Sequence, residues 1–490
     1  MQLSELVAAL PEVKVIGERE ACDVWVHEVV YDSRQVQPGA LFVAIPGLRY
    51  DGHDFIHEAL SRGAVAVVVE RAVEATSACV LQVPRAREAL ALLANRFYGL
   101  PSRSLTLIGV TGTNGKTTTT HLIAHLLRAN GICTGVMGTL GAVLDGVGEV
   151  PIAHTTPEAP DIQRVLHTAV QNGIRAVAME VSSHALDQDR TLGLEFDVAV
   201  FTNLTQDHLD YHRTMEHYAA SKRKLFVDYP KRTRKSFQSV FNLDDPTGRI
   251  WYEQSAYTRW GYGVKSHDAQ VKASDVRLLP DAVQMRVVTP AGEREVRVPL
   301  GGAFQVYNVL AALTVSFALS LCLDTTIDAL SSVPQVPGRF EIVPNQRGIT
   351  VIVDYAHTPD GLENLLRSAR ALGARRLITV FGCGGNRDRS KRPKMGAIAS
   401  DLSDICVVTS DNPRDEPPEA IIQEILQGIP RRDGVKVEVD RRRAIAAAIE
   451  SAEPGDIVVI AGKGHETVQI VGSHRIPFDD RQVAREILEG

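Results

Sequence analysis

The sequence predicts an α/β protein of three domains whose middle domain holds a mostly parallel sheet. Short apolar runs of strand length alternate with helix-length stretches over most of the chain, the pattern of strands joined by helical crossovers. One such run enters a helix through a glycine-rich turn, at 105–130. Two stretches rich in Gly and Pro, FYGLPSRS (97–104) and VPQVPGRFE (333–341), interrupt the alternation. A chain of 490 residues has room for about three domains of roughly 150 residues each. The expected division is 1–101, 102–337 and 338–490.

In the first domain ALFVAIPG and AVAVVVE are the strand candidates, separated by helix-like stretches. In the second, LTLIGV is a strand and Thr117 to Asn130 a helix, closed by Gly131 where a C-cap glycine is favoured. RAVAMEVSS (175–183) and FDVAVFTNL (196–204) read as further buried strands. In the third, ITVIVDYA, RLITVFG, DICVVTS, VKVEV and DIVVIAG alternate with helices to give a second, smaller doubly wound unit.

Composition narrows the function. Apolar residues are 44% and charged residues 23% of the chain, with a formal net charge of −6. That balance gives no general attraction for nucleic acid or an anionic membrane. No apolar run approaches the roughly 18 residues of a membrane span, and MQLSELVAALPEVK lacks the basic-then-apolar pattern of a signal peptide. The six cysteines (Cys22, Cys79, Cys133, Cys322, Cys383, Cys406) form no CxxC pair and are expected to stay reduced in a cytoplasmic chain.

The stretch with the most chemistry is GVTGTNGKTTTT, Gly109 to Thr120. Backbone N–H groups at a strand-to-helix turn and the helix dipole favour an anion there. Gly112 and Gly115 admit close approach of phosphate oxygens, Lys116 can pair with terminal phosphates, and Thr117 offers a hydroxyl to Mg²⁺. The spacing departs from GxxxxGK[ST], because Val110 stands where the first glycine belongs. By itself the loop is also compatible with a glycine turn capped by threonines. Acidic and histidyl residues follow at strand ends, where open α/β sheets gather ligands: Glu180, then Asn203, Asp207 and His208. His208 and His212 are four apart, but no HExxH or third ligand supports zinc. His212 and His217 are expected on a helix surface.

Taken together, GTNGKTTTT, MEVSSHALDQDR, FTNLTQDHLDYH, HYAASKRKLF, DYAHTPD, GCGGNRDRSKRP, DNPR and GKGHE make the chain resemble the Mur ligases, which build the cytoplasmic peptidoglycan precursor. Within that family the resemblance is to the branch that adds the third peptide residue. It implies an N-terminal uridine-nucleotide domain, a central P-loop-type ATPase domain and a C-terminal Rossmann-like domain that brings the amino acid. It also implies an ATP-dependent ligase acting on UDP-N-acetylmuramoyl-L-Ala-D-Glu through an acyl phosphate, as a monomer, without nucleic acid or membrane insertion.

The resemblance assigns residues as well. Gly112, Thr113, Asn114, Gly115, Lys116, Thr117, Thr118, Asn308 and Arg339 would meet ATP. Thr117, Glu180, His208 and a carbamylated Lys222 would serve two Mg²⁺ sites, with Lys116, His208 and Lys222 closest to the reaction. CO₂ addition would turn the Lys222 ammonium into an oxygen anion suited to a hard cation. Tyr31, Ser33, Leu48, Arg49, Tyr50, Thr155, Thr156, Ser182, Gln188 and Arg190 would hold the UDP-muramoyl-dipeptide, although Ser33 also reads as a turn-capping hydroxyl. Arg387, Asp411, Asn412, Pro413, Arg414, Gly462 and Glu466 would hold meso-2,6-diaminopimelate. There the Arg414 guanidinium suits the distal carboxylate and Glu466 an ammonium. Two departures from the family pattern are Gln305 and Asn386, where Asn and Asp are commoner. The alternatives are a lysine-adding relative, a folylpolyglutamate synthase-like ligase, and a nucleotide-binding protein without turnover.

Overall fold

The computed structural model describes residues 1–17, 22–47, 50–73, 78–431 and 433–490. The chain divides into two compact units: Met1–Thr111 with Gly131–Ala199 and Ser221–Ser239, and Gly112–Asn130 with Val200–Ala220 and Val240–Gly490. Among the described residues no helix is long and apolar enough to cross a membrane.

The first unit holds a five-stranded sheet in the order Lys14–Ile16, Cys79–Gln82, Ala66–Val69, Ala40–Val43, Glu28–Val30. All its pairings are parallel except that of the edge strand Lys14–Ile16. Ala40–Val43 and Ala66–Val69 are buried at every position, as strands covered on both faces must be. The same unit carries Thr106–Thr111, Ala176–Glu180 and Thr134–Gly138 as parallel neighbours. A short antiparallel extension, Gly141–Leu144 and Gly148–Val150, follows. FYGLPSRS does stop its helix: Ala86–Phe97 ends there, and Leu100 turns into the left-handed region before Pro101–Ser104.

One expectation fails in this unit. Cys22 and Cys79 form a disulfide across 57 residues of sequence. Cys79 opens the strand that pairs antiparallel with Lys14–Ile16. No local spacing announces such a pair. Cys133, Cys322, Cys383 and Cys406 are unpaired, as expected.

The second unit contains the helix Lys116–Ala129, one residue longer at its start and one shorter at its end than expected. It packs along the apolar helix Phe304–Ala318. An antiparallel ribbon, Val271–Leu278, Val283–Thr289 and Gly292–Val298, lies in this unit. Burial alternates along Val283–Thr289, and only Val296 and Val298 are buried in the last strand, which marks a sheet solvated on one face. The C-terminal sheet runs Glu341–Val343, Thr350–Asp354, Ile457–Ala461, Leu377–Phe381, Ile405–Val408, Val435–Val437. It is parallel except at its first pairing. Its two central strands are buried throughout, with apolar helices on both faces.

Under the last sheet Arg392 is fully buried and gives its guanidinium to Glu416, Glu424 and the Gly384 carbonyl. The Arg392 hydrogen bonds hold the Glu416 carboxyl at about 2, from 4.5. A depressed carboxyl stabilises the fold above its unfolded pKa and loses that contribution as the pH falls toward the folded one. Replacing Glu416 by Gln should therefore lower Tm most above pH 4.5. The gap from wild type should close steadily toward pH 2 in a melting series, whereas a constant gap would mean that the carboxylate charge is not what matters.

Candidate functional site

The loop Gly112–Lys116 is shaped by close backbone approach. Gly112 has φ +147° and Gly115 +86°. A Cβ on Gly112 would lie 1.9 Å from Thr202 Oγ1, and one on Gly115 2.5 Å from Asn308 Oδ1, so neither position admits a side chain. Asn114 is the hub: its N–H donates to Asn203 Oδ1 at 2.9 Å, and its carbonyl accepts from the Thr202 hydroxyl at 2.6 Å. Its side-chain amide donates to Asp360 Oδ2 at 2.7 Å. Lys116 Nζ donates to the Gly112 and Thr113 carbonyls, at 3.0 and 2.7 Å. The Thr117 hydroxyl accepts from Arg339 Nη2 at 3.0 Å, and Thr117 and Thr118 are buried. Asn308 accepts from Thr119 and donates to Gln305.

Beside this loop lies a stack of rings and charges. The Arg339 guanidinium sits 4.5 Å over the Tyr355 ring, and His357 and His465 flank that ring at 4.6 and 5.0 Å. Burial pushes His357 down to about 4, with the Lys391 charge adding to it. Burial likewise takes His465 down to about 3, so both rings are neutral near pH 7. Burial alone would raise the Asp207 carboxyl, but His208, His357 and Lys391 outweigh it and hold Asp207 at about 2. His208 caps a one-turn helix at φ 54° and contacts Asp207 Oδ2 through Nε2 at 3.2 Å. His212 is buried, not on the helix surface as expected, because that turn points inward toward Tyr218, while His217 is exposed.

In the other unit Glu180 is buried at a strand end and accepts from the Thr139 N–H and hydroxyl. The Thr156 hydroxyl donates to the Glu180 carbonyl and accepts from the Ser182 N–H. Thr155 contacts Thr139 at 3.1 Å, and Arg190 reaches the Thr156 carbonyl, Gln188 and Glu158. Thr155, Thr156, Ser182, Gln188 and Arg190 thus form one polar cluster. Tyr31 donates to Asp161 and Ser33 to Glu58, so the Ser33 hydroxyl is not spent on a turn cap. Tyr50 is exposed, and Lys222 is fully buried. Leu48 and Arg49 lie outside the described residues.

At the carboxyl ends of the C-terminal sheet two loops meet. Asn412 donates to Glu466 at 2.7 Å. The buried Lys463 ammonium donates to Glu466 at 3.0 Å, Asn412 at 3.1 Å and the Val468 carbonyl at 2.7 Å. Asp411 lies 2.7 Å from where a Gly462 Cβ would stand. Arg414, after Pro413, holds φ 53° and is tied by its backbone to Ile470 and Gly472. Its Nη1 donates to the Gly385 carbonyl at 2.9 Å. Burial and then the Arg387 charge lower its pKa, opposed by Asp411 and Glu466.

Models of the Mur ligase family catalytic domain, the Mur ligase middle domain and the Mur ligase glutamate ligase domain match residues 25–98, 110–316 and 338–464. The chain belongs to the Mur ligase family. Among its relatives, the UDP-N-acetylmuramoyl-L-alanyl-D-glutamate–2,6-diaminopimelate ligase of Thermosynechococcus vestitus is 49% identical over 495 residues, covering 100% of this chain and 98% of that one. The ligase of that name from Geobacillus thermodenitrificans is 45% identical, with 99% of each chain covered. A solved structure of a ligase of that name has a TM-score of 0.68 at 32% identity, covering 97% of this chain and 99% of that one. MurF of Thermotoga maritima, solved in complex with ADP, shares the fold at 22% identity and TM-score 0.62, over 94% and 96% of the two chains.

Several residues at these clusters escape a reading of the sequence. Asp360 and Lys463 stand inside motifs that draw the eye to their neighbours. Arg441 opens a run of three arginines that reads as solvated, yet its side chain is wholly buried while that of Arg442 is half exposed. Nothing local in the sequence distinguishes them.

Replacing Gly115 by Ala should cost the loop its shape, since a strained φ alone costs about 1–3 kcal/mol and the methyl also meets Asn308. The thermal shift produced by ADP should shrink or vanish in that variant. An unchanged shift would mean that the close approach to Asn308 is dispensable.

Proposed function

We propose that this chain joins meso-2,6-diaminopimelate to UDP-N-acetylmuramoyl-L-Ala-D-Glu with consumption of ATP, in cytoplasmic peptidoglycan precursor synthesis. The observation that carries it is the joining of Asp411–Arg414 to Gly462–Glu466 by Asn412, Glu466 and Lys463, in a chain 49% identical to a diaminopimelate ligase. The domains assigned to uridine nucleotide, ATP and amino acid would be 1–101, 102–337 and 338–490.

A carboxylate resists amide formation because it is a poor electrophile, so it must first be activated. A γ-carboxylate oxygen of the D-Glu residue attacks the γ-phosphorus of ATP; the bond to the β-bridging oxygen breaks and ADP leaves. The amino group then attacks the acyl carbon, phosphate departs and the amine gives up a proton. The loop Gly112–Thr118 offers N–H donors and the Lys116 charge to the phosphates. Asn308 is assigned to the base and Arg339 to ATP. Tyr31, Ser33, Leu48, Arg49, Tyr50, Thr155, Thr156, Ser182, Gln188 and Arg190 are assigned to the UDP-muramoyl-dipeptide.

The donor atoms suit Mg²⁺. Thr117 presents a hydroxyl and Glu180 a carboxylate, hard oxygens of the kind that ion prefers, and His208 stands next to the ionised Asp207. When bound, Mg²⁺ would neutralise charge on the transferring phosphoryl group. Lys222 is buried, where an ammonium is costly to desolvate; carbamylation by CO₂ would give it an anionic oxygen instead. Arg414 is assigned to the distal carboxylate of the amino acid and Glu466 to its ammonium, with Arg387, Asp411, Asn412, Pro413 and Gly462 around them. The enzyme would act as a monomer.

Purified protein given ATP, Mg²⁺ and UDP-muramoyl-dipeptide should release phosphate only when an amino acid is added, and should take diaminopimelate over L-lysine in competition. Preference for lysine would replace the proposed substrate, and phosphate release without an acceptor would remove the ligase. Arg414→Ala should cut kcat/KM for diaminopimelate by about 100-fold or more, the scale of a lost charge-assisted pair. Unchanged kinetics would sink the role of Arg414.

A further inference from the structure

The two loops assigned to the amino acid leave strands that are not neighbours. Ile405–Val408 leads to Asp411–Arg414 and Ile457–Ala461 to Gly462–Glu466, and Leu377–Phe381 runs between them. Two strand spacings amount to about 10 Å, and besides the Asn412–Glu466 and Lys463–Asn412 contacts farther along the loops, one side chain spans that gap at the strand ends. Arg441 donates from Nη1 to the Ser410 carbonyl at 3.2 Å and from Nη2 to the Ala461 carbonyl at 3.0 Å. Ser410 and Ala461 are the residues immediately before the two loops. Asp480 orients the guanidinium by a bidentate pair, Nε to Oδ1 at 2.8 Å and Nη2 to Oδ2 at 2.7 Å, and both side chains are wholly buried.

Stability alone is a poor reason for this pair. A buried ion pair is often replaceable by apolar residues of similar size without loss, because desolvation offsets the attraction. Arg441 also stands in the first turn of the helix Arg441–Glu450, where the helix dipole disfavours a cation. What only a guanidinium supplies is a rigid fork of donors that can hold two carbonyls and a carboxylate at once. The two loops also approach each other where a Gly462 Cβ would lie 2.7 Å from Asp411, and the turn after the middle strand packs as closely, a Gly382 Cβ falling 2.3 Å from the Thr409 carbonyl.

We propose that Arg441, oriented by Asp480, is a positioning residue for amino-acid selection: by holding the Ser410 and Ala461 carbonyls it sets the separation between Arg414 and Glu466. This rests on the proposed assignment of those loops to the amino acid. Loosening the clamp lets the two recognition groups drift apart. A substrate read at two points of its distal centre then suffers more than one read at a single point. The nucleotide loop at Gly112–Lys116 makes no use of the clamp.

The test compares wild type with Arg441→Met/Asp480→Leu, which removes both charges and leaves neither buried alone, and with Arg441→Lys. Steady-state kinetics should show KM for diaminopimelate raised about tenfold or more in the double variant, since a shift near 1 Å costs on that scale. The diaminopimelate-to-lysine ratio of kcat/KM should fall by a similar factor and KM for ATP stay within about twofold. Arg441→Lys should fall between the two. Hydrogen exchange should quicken over 409–416 and 461–467 but not in the strand Thr350–Asp354. Wild-type KM, ratio and exchange in the double variant would overturn the clamp, as would equal losses for ATP and for both amino acids. If wild type itself prefers lysine, the substrate assignment fails separately. The clamp then stands or falls on the exchange rates and on KM for lysine.

Discussion

The arrangement of the second unit depends on one residue's hydrogen bonds, those of Asn114. Its backbone is pinned by Asn203 and Thr202, and its side chain reaches Asp360 at the start of a helix in the C-terminal sheet domain. Two glycines free of Cβ contacts let that pinning occur, and Lys116 and Thr117 are aimed by it. Burial raises the pKa of the Asp360 carboxyl, so the donors around it must compensate for taking a charge out of water. A helix N-terminus in a P-loop-like turn attracts anions in many proteins. Here the turn is also fastened to the next domain, by the Asn114 amide on Asp360 and by Arg339 on the Thr117 hydroxyl.

Charge in the C-terminal domain is handled by a different rule. Lys463, Arg392 and Arg441 are buried cations, and each is surrounded by acceptors. Their hydrogen-bond partners include backbone carbonyls of the loops at strand ends, at Gly384, Ser410, Ala461 and Val468. Carbonyls leaving a parallel sheet lose their ladder partners, and a buried one must find another. Fixed cations fill that need while they set loop geometry.

Much of the fold was legible because parallel strands covered on both faces are apolar throughout: RLITVFG and DIVVIAG could hardly be anything else. The glycine loop was legible because Gly-x-x-Gly-Lys-Thr combines turn, anion and helix start in one place. The ribbon 271–298 was not, since its solvated face carries Lys272, Arg286 and Arg294 among the apolar positions. Alternation that weak competes poorly with a loop. The Cys22–Cys79 pair and the inward His212 depend on tertiary placement, which no local spacing encodes. The buried Arg441 was hidden for the same reason: a side chain's neighbours across three strands are not written beside it.

The ribbon has its own effect on the behaviour of the molecule. Gly292–Val298 is the last strand of its sheet, and an open strand edge is a template on which another chain can add. Along it Glu293, Arg294, Glu295 and Arg297 are exposed. A foreign strand would have to bury that alternating charge to gain its backbone hydrogen bonds, so this border resists the growth of stacked sheets between molecules at high concentration.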